Sequence, residues 1–178
     1  MLERTVSLAM PLVPFVRMPD DARVWVFASR DPVPEGTARK LLDEVDEYLD
    51  GWQAHGVPLT AAREWRDGRF LVVAVDQSKA AASGCSIDAL FRLLRRFQDT
   101  TGVSLLDSGT VYYRDQWGRI RGLDRSEFGG RVAAGEIGPD TRVFDTTVAS
   151  AGAYRTAFER PLSESWHGKL VALSVQSG

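Results

Sequence analysis

The sequence predicts an α+β protein with a ferredoxin-like βαββαβ core, an antiparallel sheet carrying two helices on one face, followed by a small β-hairpin, helix and strand. Two apolar stripes recur at helical spacing, and short β-branched and aromatic runs stand around them in the order β-α-β-β-α-β. An Asp-Gly turn joins the two central runs, which makes them hairpin neighbours.

The first run is Arg23-Val24-Trp25-Val26-Phe27-Ala28, bounded by Asp21 and by Asp31-Pro32, and it reads as a buried strand. Ala38, Leu41, Leu42, Val45, Leu49 and Trp52 then fall on one helical face, with Gly56 and Pro58 behind them. Ala61 to Trp65 and Phe70 to Val75 are strand-like, and Asp67-Gly68 between them accepts the positive φ angles of a tight hairpin. A second helix opens after Ser83-Gly84, carries the stripe Ile87, Leu90, Phe91, Leu94 and Phe97, and stops at Gly102. Val111-Tyr112-Tyr113 completes the six elements, followed by a turn at Asp115 to Gly118 and a strand from Arg119 to Gly122. The core is therefore placed at 23–115. Ahead of it, the apolar run from Leu8 to Val16 is broken by Pro11 and Pro14, so 1–22 is expected to be an extended arm packed on the domain. Residues 149–178 are expected to supply a C-terminal helix and tail that pack back on the core.

Composition narrows the function classes. A chain of 178 residues, 44% hydrophobic and 26% charged, can build one packed core. A net charge of −2 lacks the broad basic footprint of a nucleic-acid or anionic-membrane binder, so neither is expected. One cysteine permits no intramolecular disulfide and fits a reducing compartment, with the cytoplasm as the expected location. No stretch approaches the roughly 18 apolar residues of a membrane span. No cofactor motif is present, and no pair among Cys85, His55 and His167 has the short spacing of usual zinc ligands, so neither cofactor nor metal is expected.

Two resemblances add to this reading. Tyr112-Tyr113-Arg114-Asp115, Gly118, Gly122, Glu127-Phe128 and the run from Val132 to Phe144 resemble the GYF-2 type of small adaptor domain, over 109–148 and sharing the last core strand. The resemblance implies an aromatic strand, a glycine hairpin, a short helix and a returning strand. The residues support those elements on their own. Gly135 can end a helix after Val132, Gly138-Pro139-Asp140 makes a tight turn, and Val143-Phe144 returns as a strand. Such domains carry Gly-Pro-aromatic after the hairpin, whereas here Leu123 follows Gly122. From about residue 20 onward, Trp52-Gln53-Ala54-His55-Gly56, Val72-Val73-Ala74-Val75-Asp76, Ser83-Gly84-Cys85-Ser86-Ile87-Asp88 and Ser163-Glu164-Ser165-Trp166-His167 resemble an uncharacterised bacterial family often labelled "ABC transporter ATPase". The label's chemistry does not transfer. A P-loop needs Gly-x-x-x-x-Gly-Lys-Ser/Thr to hold phosphates on backbone N–H groups and a lysine, and the sequence has no such string.

Two functional readings remain side by side. The first is a binding or adaptor protein that takes a protein or peptide partner, or a small anionic ligand, with Tyr112, Tyr113 and Trp117 as exposed aromatic anchors. The second is a cysteine-dependent enzyme for acyl transfer or hydrolysis. In the βαββαβ topology the loop after the first helix shares a sheet end with the start of the second, which brings His55 toward Cys85. Unpaired N–H groups there favour an anion or a thiolate, Gly84 permits close approach, and Ser83 and Ser86 add hydroxyls. In that reading Cys85 is the nucleophile, His55 or His167 the base, and Asp88 orients the histidine. The same residues also fit a plain helix start, in which Ser83 or Ser86 caps, Asp88 faces the helix dipole and Cys85 is a small buried hydrophobe.

Overall fold

The computed structural model describes residues 12–78 and 81–169. Three strands form the first antiparallel sheet. Strand β1 (Arg23–Ala28) pairs with β5 (Phe70–Asp76), which pairs in turn with β4 (Thr60–Arg66), giving the order β1-β5-β4. Helix α1 (Glu35–Asp50) connects β1 to a two-residue-per-strand hairpin, β2 (Gln53–Ala54) and β3 (Val57–Pro58), which leads into β4. Helix α2 (Gly84–Thr101) follows β5 and ends on Gly102, whose φ of 75° lets its N–H reach the Gln98 carbonyl at 2.8 Å. Residues 12–22 lie against the domain. Val13 donates to the Ala61 carbonyl at 2.9 Å, and Phe15, Met18 and Ala22 are buried. The remainder of the expected arm, 1–11, lies outside the described residues, as does the tail beyond Lys169.

The β4–β5 turn is the tight hairpin that Asp-Gly predicts. Asp67 and Gly68 both have positive φ (55° and 67°), and Arg69 N–H donates to the Arg66 carbonyl at 3.1 Å. Arg69 is thus the last residue of the turn.

The α+β class and the antiparallel pairing match the sequence reading. The sheet differs in one respect, because the sixth element is not its fourth strand. Strand β6 (Thr110–Arg114) instead lies inside a second antiparallel sheet of order β7-β6-β8-β9, with β7 (Ile120–Asp124), β8 (Arg142–Phe144) and β9 (Glu159–Pro161). Two short contacts replace it on the free side of β1. Ala28 N–H donates to the Leu105 carbonyl at 3.1 Å, and Val24 N–H donates to the Ala149 carbonyl at 3.0 Å. Helix α3 (Arg125–Ala133) follows β7, capped by Asp124, whose carboxylate accepts from Glu127 N–H at 2.8 Å. Helix α4 (Ala151–Ala157) precedes β9.

Burial explains the layering. Phe70 to Val75 are each 0% exposed, so β5 is covered on both faces. Leu71, Val73 and Val75 face α1 and α2, together with Leu41, Val45, Leu49, Leu90, Leu94 and Phe97. Phe70, Val72 and Ala74 face the second sheet, meeting Tyr112, Phe144, Tyr154 and Phe158. Alternate residues of that sheet, Val111, Tyr113 and Val143, turn outward to Phe128 of α3 and to Ile137 and Leu162. The order of layers is therefore helices, first sheet, second sheet, then α3 with the C-terminal segment. No helix among the described residues is long and apolar enough to cross a membrane.

Candidate functional site

The last turns of α1 meet the start of α2. The Tyr48 hydroxyl donates to the Ser86 carbonyl, and the Tyr48 and Trp52 rings lie 5.5 Å apart. Ser83 is the N-cap, its hydroxyl accepting from Ser86 N–H at 3.3 Å, while the Ser86 hydroxyl donates to the Ser83 carbonyl at 2.8 Å. Both serines are therefore engaged in forming the helix start. Gly84 and Asp88 are exposed there. Cys85 occupies the first turn of α2, and its side chain falls outside the described residues.

The two histidines occupy different settings. His55 and Gly56 are the two loop residues of the β2–β3 hairpin, with φ of 52° and 79°, and His55 is exposed. That geometry is a type I′ turn, in which a non-glycine first residue tolerates positive φ at a modest cost. His167 is 3% exposed, stacked on Trp166 with ring centroids 3.9 Å apart and 6.5 Å from Phe128. It belongs to the outermost layer, and both sheets separate it from α2. Its backbone N–H donates to Ser165 Oγ at 3.4 Å, and the same oxygen shares a hydrogen bond with His167 Nδ1 at 2.7 Å. Ser165 and His167 are thus a buried local turn.

Burial pushes the His167 pKa down to about 4 from 6.5, with the Arg125 charge acting in the same direction and Asp145 opposing them. The folded protein therefore keeps this imidazole neutral, while the unfolded chain protonates it below pH 6.5. Stability from this residue is complete above pH 6.5 and is lost as pH falls toward 4, by up to about 3 kcal/mol. Urea titrations at several pH values should show a shallower acid loss in His167→Gln than in the wild type. Identical acid slopes would refute the assignment.

The aromatic residues separate into two environments. Tyr112 and Tyr113 are 1% and 6% exposed and belong to the two faces of the second sheet, so they are core residues. Trp117 is 67% exposed. It stands at the tip of the β6–β7 hairpin, where Asp115 organises the loop. The Asp115 carboxylate accepts from Trp117 N–H at 3.0 Å and Arg119 N–H at 2.9 Å, and it pairs with Arg121 at 2.9 Å. Gly118, at φ 75°, closes the turn back to the Asp115 carbonyl. The Arg119 guanidinium lies 4.8 Å from the centre of the Trp117 ring, so the exposed indole is braced by a cation.

Clefts of about 780 and 820 Å³ flank this hairpin, and Trp117 borders both. The first lies between Arg30 to Pro32, the β4–β5 turn and the hairpin. Six arginines line it (30, 69, 114, 119, 121 and 131) against three aspartates (31, 67 and 115). Most of these arginines are paired. Arg114 joins Arg66 on Glu159, whose carboxylate accepts from Arg114 Nε and Arg66 Nη2, each at 2.6 Å, with Arg142 3.7 Å away. Arg119 and Arg121 share Asp115, and Arg131 pairs with Glu127 and Glu136. Arg30 and Arg69 form no ion pair among the described residues. Sequence reasoning passed over this cleft because its arginines come from four separate segments. The one local signal was a cation placed directly behind the Asp67-Gly68 turn.

No group of three or more metal-ligating side chains occurs among the described residues. No protein-family model, curated protein or solved structure matches the chain.

Proposed function

We propose that the chain is a binding module that docks an acidic segment of a partner protein across the β6–β7 hairpin, with Trp117 as the apolar anchor. The observation that carries this is the exposed indole standing between two clefts, the first with an excess of arginine. Tryptophan and arginine are the residues most often found at interface hot spots, and a rigid aromatic contributes contact area at low entropic cost. Charge complementarity selects the partner, since three more arginines than aspartates line the first cleft in a chain whose net charge is −2. The likeness of 109–148 to GYF-2 adaptor segments agrees with a binding role, and the chemistry of this surface narrows the partner to an acidic one.

The test uses the full chain against a displayed library of random short peptides. Enriched clones should combine aspartate or glutamate with an apolar residue. Their affinity should fall as salt is raised, and it should drop about 30-fold in Trp117→Ala, the loss expected of a hot-spot tryptophan. Enrichment of neutral or basic peptides, or no enrichment at all, would overturn the proposal. So would affinity for single-stranded oligonucleotides that the peptides fail to displace.

A further inference from the structure

We propose that the inner end of the same cleft is a binding site for the oxyanion head of a small molecule, a carboxylate or phosphate group seated on the guanidinium of Arg69. This goes beyond the docking surface and does not depend on it, because it requires neither the Trp117 anchor nor a partner protein.

The argument begins with an uncompensated charge. Arg69 is 4% exposed, yet its side chain makes a single hydrogen bond among the described residues, from Nη1 to the Arg30 carbonyl at 2.7 Å. The Nε atom is fully buried and meets no acceptor. A guanidinium taken out of water without a counter-ion is strongly penalised, and a buried donor left without an acceptor adds to that penalty. The other part-buried arginines near the first sheet are treated differently. Arg63 is held by Asp46 through two hydrogen bonds at 2.7 and 2.6 Å, and Arg66 and Arg114 meet Glu159. Asp46 raises the pKa of Arg63, Glu159 that of Arg114, and Tyr154 with Glu159 that of Arg66, whereas burial lowers that of Arg69.

The surroundings do not supply the missing charge. Tyr112, Asp31 and Asp67 favour the Arg69 charge from a distance, but the Tyr112 phenol, its pKa pushed up to about 12 by burial, is neutral near pH 7, and Asp67 is already engaged by Arg66 at 3.1 Å and Arg114 at 3.6 Å. Arg121 adds a like charge, and Arg30 has no ion pair among the described residues. The Arg30 side chain is brought close by Gly122 of β7, where a Cβ would lie 3.3 Å from Arg30 Cγ and 2.9 Å from Thr110 Cγ2.

The geometry suits an anionic head group. The bond to the Arg30 carbonyl fixes the guanidinium by Nη1 and leaves Nη2 without a hydrogen-bond partner among the described residues, and Arg69 lines the cleft. An oxyanion there would meet a charge-assisted donor. A cleft of about 780 Å³ accommodates a small molecule behind that head group.

Inorganic phosphate and acetate, titrated separately into the full chain at constant ionic strength, test the site. The Arg69 Nε–H resonance should shift saturably with one of them, and the same anion should raise the melting temperature where chloride does not. In Arg69→Met the anion response should disappear. The melting temperature in anion-free buffer should stay near the wild-type value, because removing an unpaired buried charge relieves its penalty. Trp117→Ala should keep the full anion response even though it loses peptide binding, so the two proposals fail separately. Acidic peptide that competes with the anion would identify a partner's carboxylate as the natural source, and simultaneous binding would identify a free small molecule. The proposal is overturned if the wild-type resonance does not shift saturably with either anion, if chloride reproduces the effect, or if the response survives in Arg69→Met.

Discussion

Replacing Phe70 with alanine is expected to cost about 3–5 kcal/mol, the range for truncating a fully buried phenylalanine. The side chain is 0% exposed and touches three rings of the second sheet region. Its centroid lies 5.3 Å from Tyr112, 5.1 Å from Phe144 and 5.2 Å from Phe158, with two of these pairs edge-to-face. Neighbouring rings cannot collapse far into the gap, since each is fixed on its own strand or at the end of α4. The loss is a large share of the roughly 5–15 kcal/mol that holds a typical domain together, and it should lower the melting temperature by roughly 10 °C. Denaturant titration gives the value directly. A cost under about 1 kcal/mol would mean that this aromatic cluster does not bind the sheets together.

Glu159→Gln should be the most damaging polar change, at about 2–4 kcal/mol. Its side chain is 13% exposed and accepts hydrogen bonds from Arg66 and Arg114, with Arg142 close by, so one carboxylate joins β4, β6 and β8. The arginines are 28–48% exposed, which tempers the figure relative to a fully buried network. Burial alone would raise the Glu159 pKa, but Arg114, Arg66 and Arg142 hold it below 4.5. A carboxylate with a depressed pKa stabilises the fold above its unfolded value of 4.5, and that contribution fades as pH falls through the folded value. The gap between wild type and Glu159→Gln should therefore be widest above pH 4.5 and close in acid. A pH-independent gap would assign the loss to packing.

Both predictions concern the joint between the two sheets, which the sequence disclosed only in part. The strands and helices of the core, the Asp67-Gly68 hairpin and the Gly102 stop are encoded within a few residues, and local spacing reveals them. The β6 partnership is non-local. Val111-Tyr112-Tyr113 looks the same whether it lies beside β1 or opens a second sheet. One clue was present in Phe70 to Val75, which never alternates with polar residues. A strand in a sheet with helices on one side only should alternate, so an unbroken apolar run calls for a layer on each face.

The site divides the same way. The helix start at Ser83 and the turn at His55-Gly56 follow from local chemistry, as does the exposed hairpin tip at Trp117. The meeting of Arg30, Arg69 and Arg121 depends on how two loops and β7 approach one another, and no spacing along the chain announces it. Tyr112 and Tyr113 were misleading as anchors because an aromatic run of this kind serves a doubly covered strand as well as an exposed one.

The double coverage of β5 also governs how the molecule can be divided. Its sequence invites a cut between α2 and β6, where one apparent unit ends and another begins. A fragment stopping at Gly109 would turn Phe70, Val72 and Ala74 out to water, and the complementary piece would lose the wall behind Tyr112, Phe144 and Phe158. Neither half owns a complete interior, so the seam that looks most severable is where the two halves are most dependent on each other.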